Sequence, residues 1–134
     1  MILAVDFDGT LCTDQYPLIG EPITDVILSV KAWRKAGNEA VLWTCREGIL
    51  LDNALKWCKT QGLEFDAVNA NTQHALYKWR SNPRKIGADF YLDDKAISPT
   101  GILNLLSQNN IQKEDSQKSP QKMSRQKMTR MSGR

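Results

Sequence analysis

Four short apolar runs, each closed by polar residues and separated by stretches of helical periodicity, restrict what this chain can fold into. "ILAVD" (2–6) is continuously apolar, the pattern of a strand covered on both faces. "EAVLWT" (39–44), "FDAVNA" (65–70) and "ADFYLDD" (88–94) read as further strands. Between the first two, Ile23, Val26, Ile27, Val30 and Trp33 fall at helical spacing, opened by Pro22 and stopped at Gly37. Leu51, Ala54, Leu55 and Cys58 form a second helical face between Gly48 and Gly62. Residues 73–80 predict a short helix before the breaker "SNP", and Pro99 starts a last one through about Gln108. Strands that alternate with helices predict an α/β fold with a mostly parallel sheet and helices on both faces. Ligands of such sheets sit beyond the carboxyl ends of the strands. The residues that end three of them, Asp6 and Asp8, Thr44, and Asp93 and Asp94, are therefore expected along one edge.

Composition sets the outer bounds. At 134 residues there is room for one core, and 41% hydrophobic with 25% charged residues fits a soluble globular protein. No apolar run approaches the roughly 20 residues of a membrane span, and residues 1–5 lack the basic start and apolar stretch of a signal peptide. Three cysteines (Cys12, Cys45 and Cys58) make no disulfide framework, which points to reduced thiols and a cytoplasmic setting. The net charge of +3 is unevenly held: residues 112–134 carry seven Lys and Arg against two acids, and residues 1–111 carry eleven against thirteen. The basic tail has no aromatic residue and no apolar stripe, so it is expected to be a disordered extension, with weak contact to polyanions as its alternative role. The expected organisation is a folded domain over 1–111, with a loop or flap at about 12–21, followed by the tail 112–134.

The chemistry concentrates where the first strand ends. Side chains two apart on an extended backbone point the same way, so Asp6 and Asp8 share a side while Phe7 faces the core. Gly9 permits a tight departure from the strand, and Thr10 offers a hydroxyl close to both acids. Far along the chain, "YLDD" brings Asp93 and Asp94 to the end of a different strand. Like charges gathered at the edge of a core repel, and burying them is costly without compensation. Three or four carboxylates at one point make an oxygen-rich site suited to Mg²⁺.

These residues are recognisable together. "DFDGTL" after an N-terminal apolar strand, "LWT" ending the next, a lysine, and then "YLDD" resemble the haloacid dehalogenase-like superfamily of phosphohydrolases over residues 2–109. The resemblance implies a Rossmann-like three-layer sandwich, here a single domain, since neither Thr10 to Thr44 nor Thr44 to Asp93 has room for a substrate-selecting cap. It implies Asp6 as the nucleophile that forms an aspartyl-phosphate and also ligates Mg²⁺. Asp8 is implied as general acid and then base, with its backbone carbonyl on the metal; the first role requires a protonated Asp8, which the neighbouring acids are expected to favour. Thr44 is implied to hydrogen-bond a phosphoryl oxygen, and Lys85 to neutralise phosphoryl charge and restrain Asp6. Asp94 is the expected direct metal ligand, with Asp93 a second ligand or a partner of Lys85. Gly9, Thr10, Cys45 and Arg46 complete the expected substrate side, Arg46 either clamping phosphate or pairing with Glu47.

Lys78 and Lys95 compete with Lys85 for the phosphate role. "NANTQH" (69–74) lies at a strand end, as pocket lining or as plain loop; His74 reads as a surface residue, and the four tryptophans as packing. The expected activity is a Mg²⁺-dependent phosphomonoesterase. Its partners would be a phosphorylated small molecule or macromolecule, with no membrane and with a homo-oligomer compatible. The alternatives are a non-catalytic phosphate- or metal-binding module and a receiver-like phospho-switch. A receiver takes phosphate on an aspartate ending its third strand, where this chain has Asn69.

Overall fold

The computed structural model describes residues 1–109; the 112–134 tail, and what was expected of it, lies outside them. The elements of the first unit are β1 (Ile2–Val5), α1 (Thr24–Lys35), β2 (Glu39–Leu42), α2 (Gly48–Thr60), β3 (Ala67–Val68), α3 (Gln73–Trp79) and β4 (Phe90–Leu92). All four strands run parallel, in the order β3-β2-β1-β4. This unit spans Met1–Ala96. Residues 97–109 belong to a second unit, in which a 3₁₀ turn at Pro99–Gly101, capped by the Ser98 side chain, leads into helical residues 102–109.

The α/β fold is the expected one, and strand alternation builds its layers. Val5, Ala40 and Leu42 point to one face, where they pack with Ile27 and Val30 of α1 and Ala54 and Cys58 of α2. Ile2 and Val41 point to the other, where they meet Ala75 of α3 and Ile86. A sheet between two helical layers results. Each strand is shorter than the run read from the sequence. The ladder still continues one residue further, Asp6 N–H donating to the Leu92 carbonyl at 2.9 Å and Trp43 N–H to Val5 at 2.8 Å.

The strand order positions the site. The chain marches outward from β1 through β2 to β3 with α1 and α2 on one face, then returns by α3 on the other to lay β4 against β1. The direction of winding reverses between β1 and β4, and a parallel α/β sheet opens a crevice at such a point, at the carboxyl ends of the strands. Among the described residues no helix is long and apolar enough to cross a membrane.

Leu42 is fully buried between the sheet and the α1–α2 layer. Leu42→Ala should cost about 2–5 kcal/mol, read as a lower urea midpoint with an unchanged slope.

Candidate functional site

The parallel pairing of β1 with β4 sets Val5 opposite Leu92, so the next residues of both strands emerge together. Asp6, Asp93 and Asp94 each place a carboxylate oxygen within 4.8 Å of the others. The Thr10 hydroxyl ties the two strand ends, donating to Asp6 Oδ2 at 3.1 Å and accepting from the Asp94 N–H at 3.1 Å. Gly9 turns the chain with φ +85°, and a Cβ there would fall on the Asp94 carboxylate. Only glycine satisfies both the conformation and the approach. Gly9 and the buried Thr10, expected on the substrate side, instead build the acidic cluster.

Burial foremost, then the hydrogen bond shared with Asp94 and the charge of Asp93, push the Asp6 carboxyl from an ordinary 3.8 up to about 7, against the Thr10 donation that lowers it. The acidic cluster thus retains a proton on Asp6 near neutrality. Three carboxylates with hard oxygen donors fit a divalent cation, which would take over the neutralising role of that proton.

Asp8 stands apart from this cluster. Both of its oxygens accept from Arg46, from Nε at 2.8 Å and Nη2 at 2.8 Å, the fork geometry of an ionised carboxylate. Arg46 is only 1% exposed. It also donates to the carbonyls of Pro17 (3.2 Å), Leu18 (2.9 Å) and Leu50 (3.4 Å). The expected phosphate clamp or Glu47 partner is therefore a buried partner of Asp8, and the Asp8 pair holds its guanidinium charged above the usual arginine range, against the opposing effect of burial.

Thr44 borders the same cleft, about 340 Å³, as Asp6, Asp8 and Asp93. Its N–H donates to Asn69 Oδ1 at 2.8 Å and its hydroxyl accepts from the Arg46 N–H at 3.1 Å. Asn69 adopts φ 50°, which turns its amide toward Thr44. The rest of "NANTQH" braces the loop after α3. Asn71 donates to Asn82 and to the Pro83 carbonyl and accepts from the Gly87 N–H, while Thr72 caps α3. The segment supports the site rather than lining it.

The lysines separate by position. Lys85 borders an adjoining cavity with Asp6 and Asp93, its Nζ 5.5 Å from the Tyr91 ring centroid, and makes no ion pair among the described residues. Lys95 borders the main cleft, while Lys78 lies beside Met1, Glu39 and Asp89 at the opposite end of the sheet. Asp14 and Tyr16 of the flap also line the cleft; an acid and an aromatic in an aperiodic loop carry no signal that sets them apart in sequence. Cys45 is exposed at the cleft, whereas burial pushes the Cys58 thiol up to about 12 and raises Cys12 as well, the mark of inert core thiols. His74 is exposed. Trp33, Trp43 and Trp57 pack as expected, whereas Trp79 is nearly half exposed and lies against Gly87.

No protein-family model and no curated protein matches this chain. A solved structure of a conserved protein from Bacteroides thetaiotaomicron is 36% identical, with a TM-score of 0.64, over 82% of this chain and 91% of that one.

The raised carboxyl has a consequence for stability. Below 3.8 both folded and unfolded chains hold the Asp6 proton; between 3.8 and about 7 only the folded chain does. The stabilising contribution is complete at low pH and is lost as pH rises through about 7. In EDTA, urea midpoints should fall between about pH 4 and about pH 7, and Asp6→Asn should remove most of that slope. Equal slopes in both proteins would exclude a raised Asp6.

Proposed function

From a chain that belongs to the same family as the conserved Bacteroides thetaiotaomicron protein, whose description names no reaction, we propose a phosphohydrolase of the haloacid dehalogenase-like type, dependent on a divalent cation such as Mg²⁺. One observation carries this reading: Asp6, Asp93 and Asp94 converge within 4.8 Å beyond β1 and β4, at the reversal of the sheet. A cation bound there supplies charge neutralisation and polarises a phosphoryl oxygen.

The residues divide the work as follows. An oxygen of Asp6 attacks phosphorus, and the bond from phosphorus to the ester oxygen breaks with its electron pair on the departing oxygen. Asp8 must first take up a proton, the one that a bound cation would displace from Asp6, and hands it to that oxygen as one arm of the Arg46 fork lets go. As a carboxylate again, Asp8 takes a proton from water, whose oxygen attacks phosphorus and frees Asp6 and inorganic phosphate. Thr44 offers a hydroxyl to the phosphoryl group from the cleft wall, and Lys85 approaches from the adjoining cavity. Lys95 faces the same cleft and is the second cation available to the substrate.

Hydrolysis of p-nitrophenyl phosphate should require Mg²⁺, stop with EDTA, and be abolished by Asp6→Asn. Lys85→Ala should lower turnover about 10²-fold. Turnover that persists in Asp6→Asn would refute the reading, and a panel of phosphorylated metabolites and phosphopeptides would identify the substrate class.

A further inference from the structure

We propose that Arg46 is a positioning residue that couples the flap to Asp8, one buried guanidinium fixing both the aim of the Asp8 carboxylate and the path of residues 16–18. A guanidinium has five N–H donors, and Arg46 uses all of them. Nε and one arm of Nη2 go to Asp8, the other arm of Nη2 to Leu18, and Nη1 to Pro17 and Leu50. The group also lies 5.0 Å from the Phe7 ring centroid and 5.2 Å from that of Tyr16. No donor is left over for a substrate oxygen.

The arrangement joins two parts of the chain that are otherwise held separately. Asp8 follows β1, whereas Tyr16 and Leu18 are exposed and the flap's own ties are local, Thr13 N–H to the Glu21 carbonyl and Glu21 N–H to the Thr13 hydroxyl at its base and Tyr16 N–H to Asp14 Oδ1 within it. Over 16–18, the Arg46 contacts are what fasten the backbone to the core. The dependence runs both ways. Without the Asp8 carboxylate, the buried cation loses its counter-charge and must shift, releasing the Pro17 and Leu18 carbonyls. Without the flap carbonyls, the fork is no longer held in plane against Asp8. When one Asp8 oxygen leaves the fork, the other oxygen and the flap still anchor Arg46, so Asp8 pivots about a fixed partner.

Thermolysin cuts before Leu18 and Ile19, the two bonds whose carbonyls Arg46 holds, and so reads the flap directly. Arg46→Lys keeps the charge and loses the fork. Cleavage there should accelerate well beyond that of Leu42→Ala, a variant destabilised elsewhere. On p-nitrophenyl phosphate, kcat should fall about 10²-fold with KM little changed. A raised KM with kcat and cleavage unaltered would make Arg46 a substrate clamp and overturn the proposal. Asp8→Asn, which does not touch residues 16–18, should accelerate the same cleavage; unchanged cleavage overturns the coupling, and this variant decides the matter if Arg46→Lys does not fold. The kinetic arm rests on the phosphohydrolase reading and the cleavage arm does not. A wild type without turnover therefore refutes that reading while the cleavage rates still decide the coupling.

Discussion

The structure at the site is organised by one electrostatic problem: carboxylates from two strand ends are forced together by backbone pairing. The β1–β4 ladder, extended by the Asp6 N–H to Leu92 bond, leaves no freedom to separate Asp6 from the residues that follow Leu92. Local chemistry then brings them closer. Glycine at position 9 admits the Asp94 carboxylate, and Thr10 bonds to Asp6 and to the Asp94 backbone. A chain under selection for stability alone would place neutral groups there. Burial first, then the hydrogen bond with Asp94 and the charge of Asp93, hold a proton on Asp6 in the unliganded cluster, and a divalent cation would neutralise the same carboxylates with more charge.

Asp8, two residues from Asp6, lives in a different electrostatic setting. Its charge is balanced within the protein by a buried arginine whose remaining donors are all spent on backbone carbonyls. The cleft thus has two compartments, one acidic and short of cations, one already neutral. Under the proposed phosphohydrolase reading, that separation would suit two carboxylates with different tasks, one presenting an oxygen to phosphorus and the other exchanging a proton. Identical residue types acquire distinct chemistry through their neighbours.

The strand–helix alternation made the fold legible, since apolar runs and helical faces report burial directly. The acidic cluster was legible too, because strand ends of a parallel sheet share an edge and Asp6, Asp93 and Asp94 occupy such ends. What stayed hidden depends on side chains that reach across the chain. Nothing local to Arg46 distinguishes a phosphate clamp from a buried partner of Asp8; only the path of the flap decides it. The same holds for Asn69 and Asn71, polar loop residues that turn out to hold Thr44 and the loop after α3. Strand ends were read too long because polarity at a strand tip resembles polarity within an exposed strand.

The flap gives the cleft its shape without enclosing it. Asp14 and Tyr16 border the space in front of Asp6 and Asp8, and Tyr16 and Leu18 remain exposed while the backbone between them is held from beneath by Arg46. A loop anchored on its inner side is a wall, whereas a lid needs a hinge free to move at that point. Substrate selection in such a site falls to what reaches the open mouth. Asp14 and Tyr16 of the flap border that cleft together with Lys95; under the proposed phosphohydrolase reading, the aromatic surface would meet the group attached to phosphate and the lysine the phosphate itself.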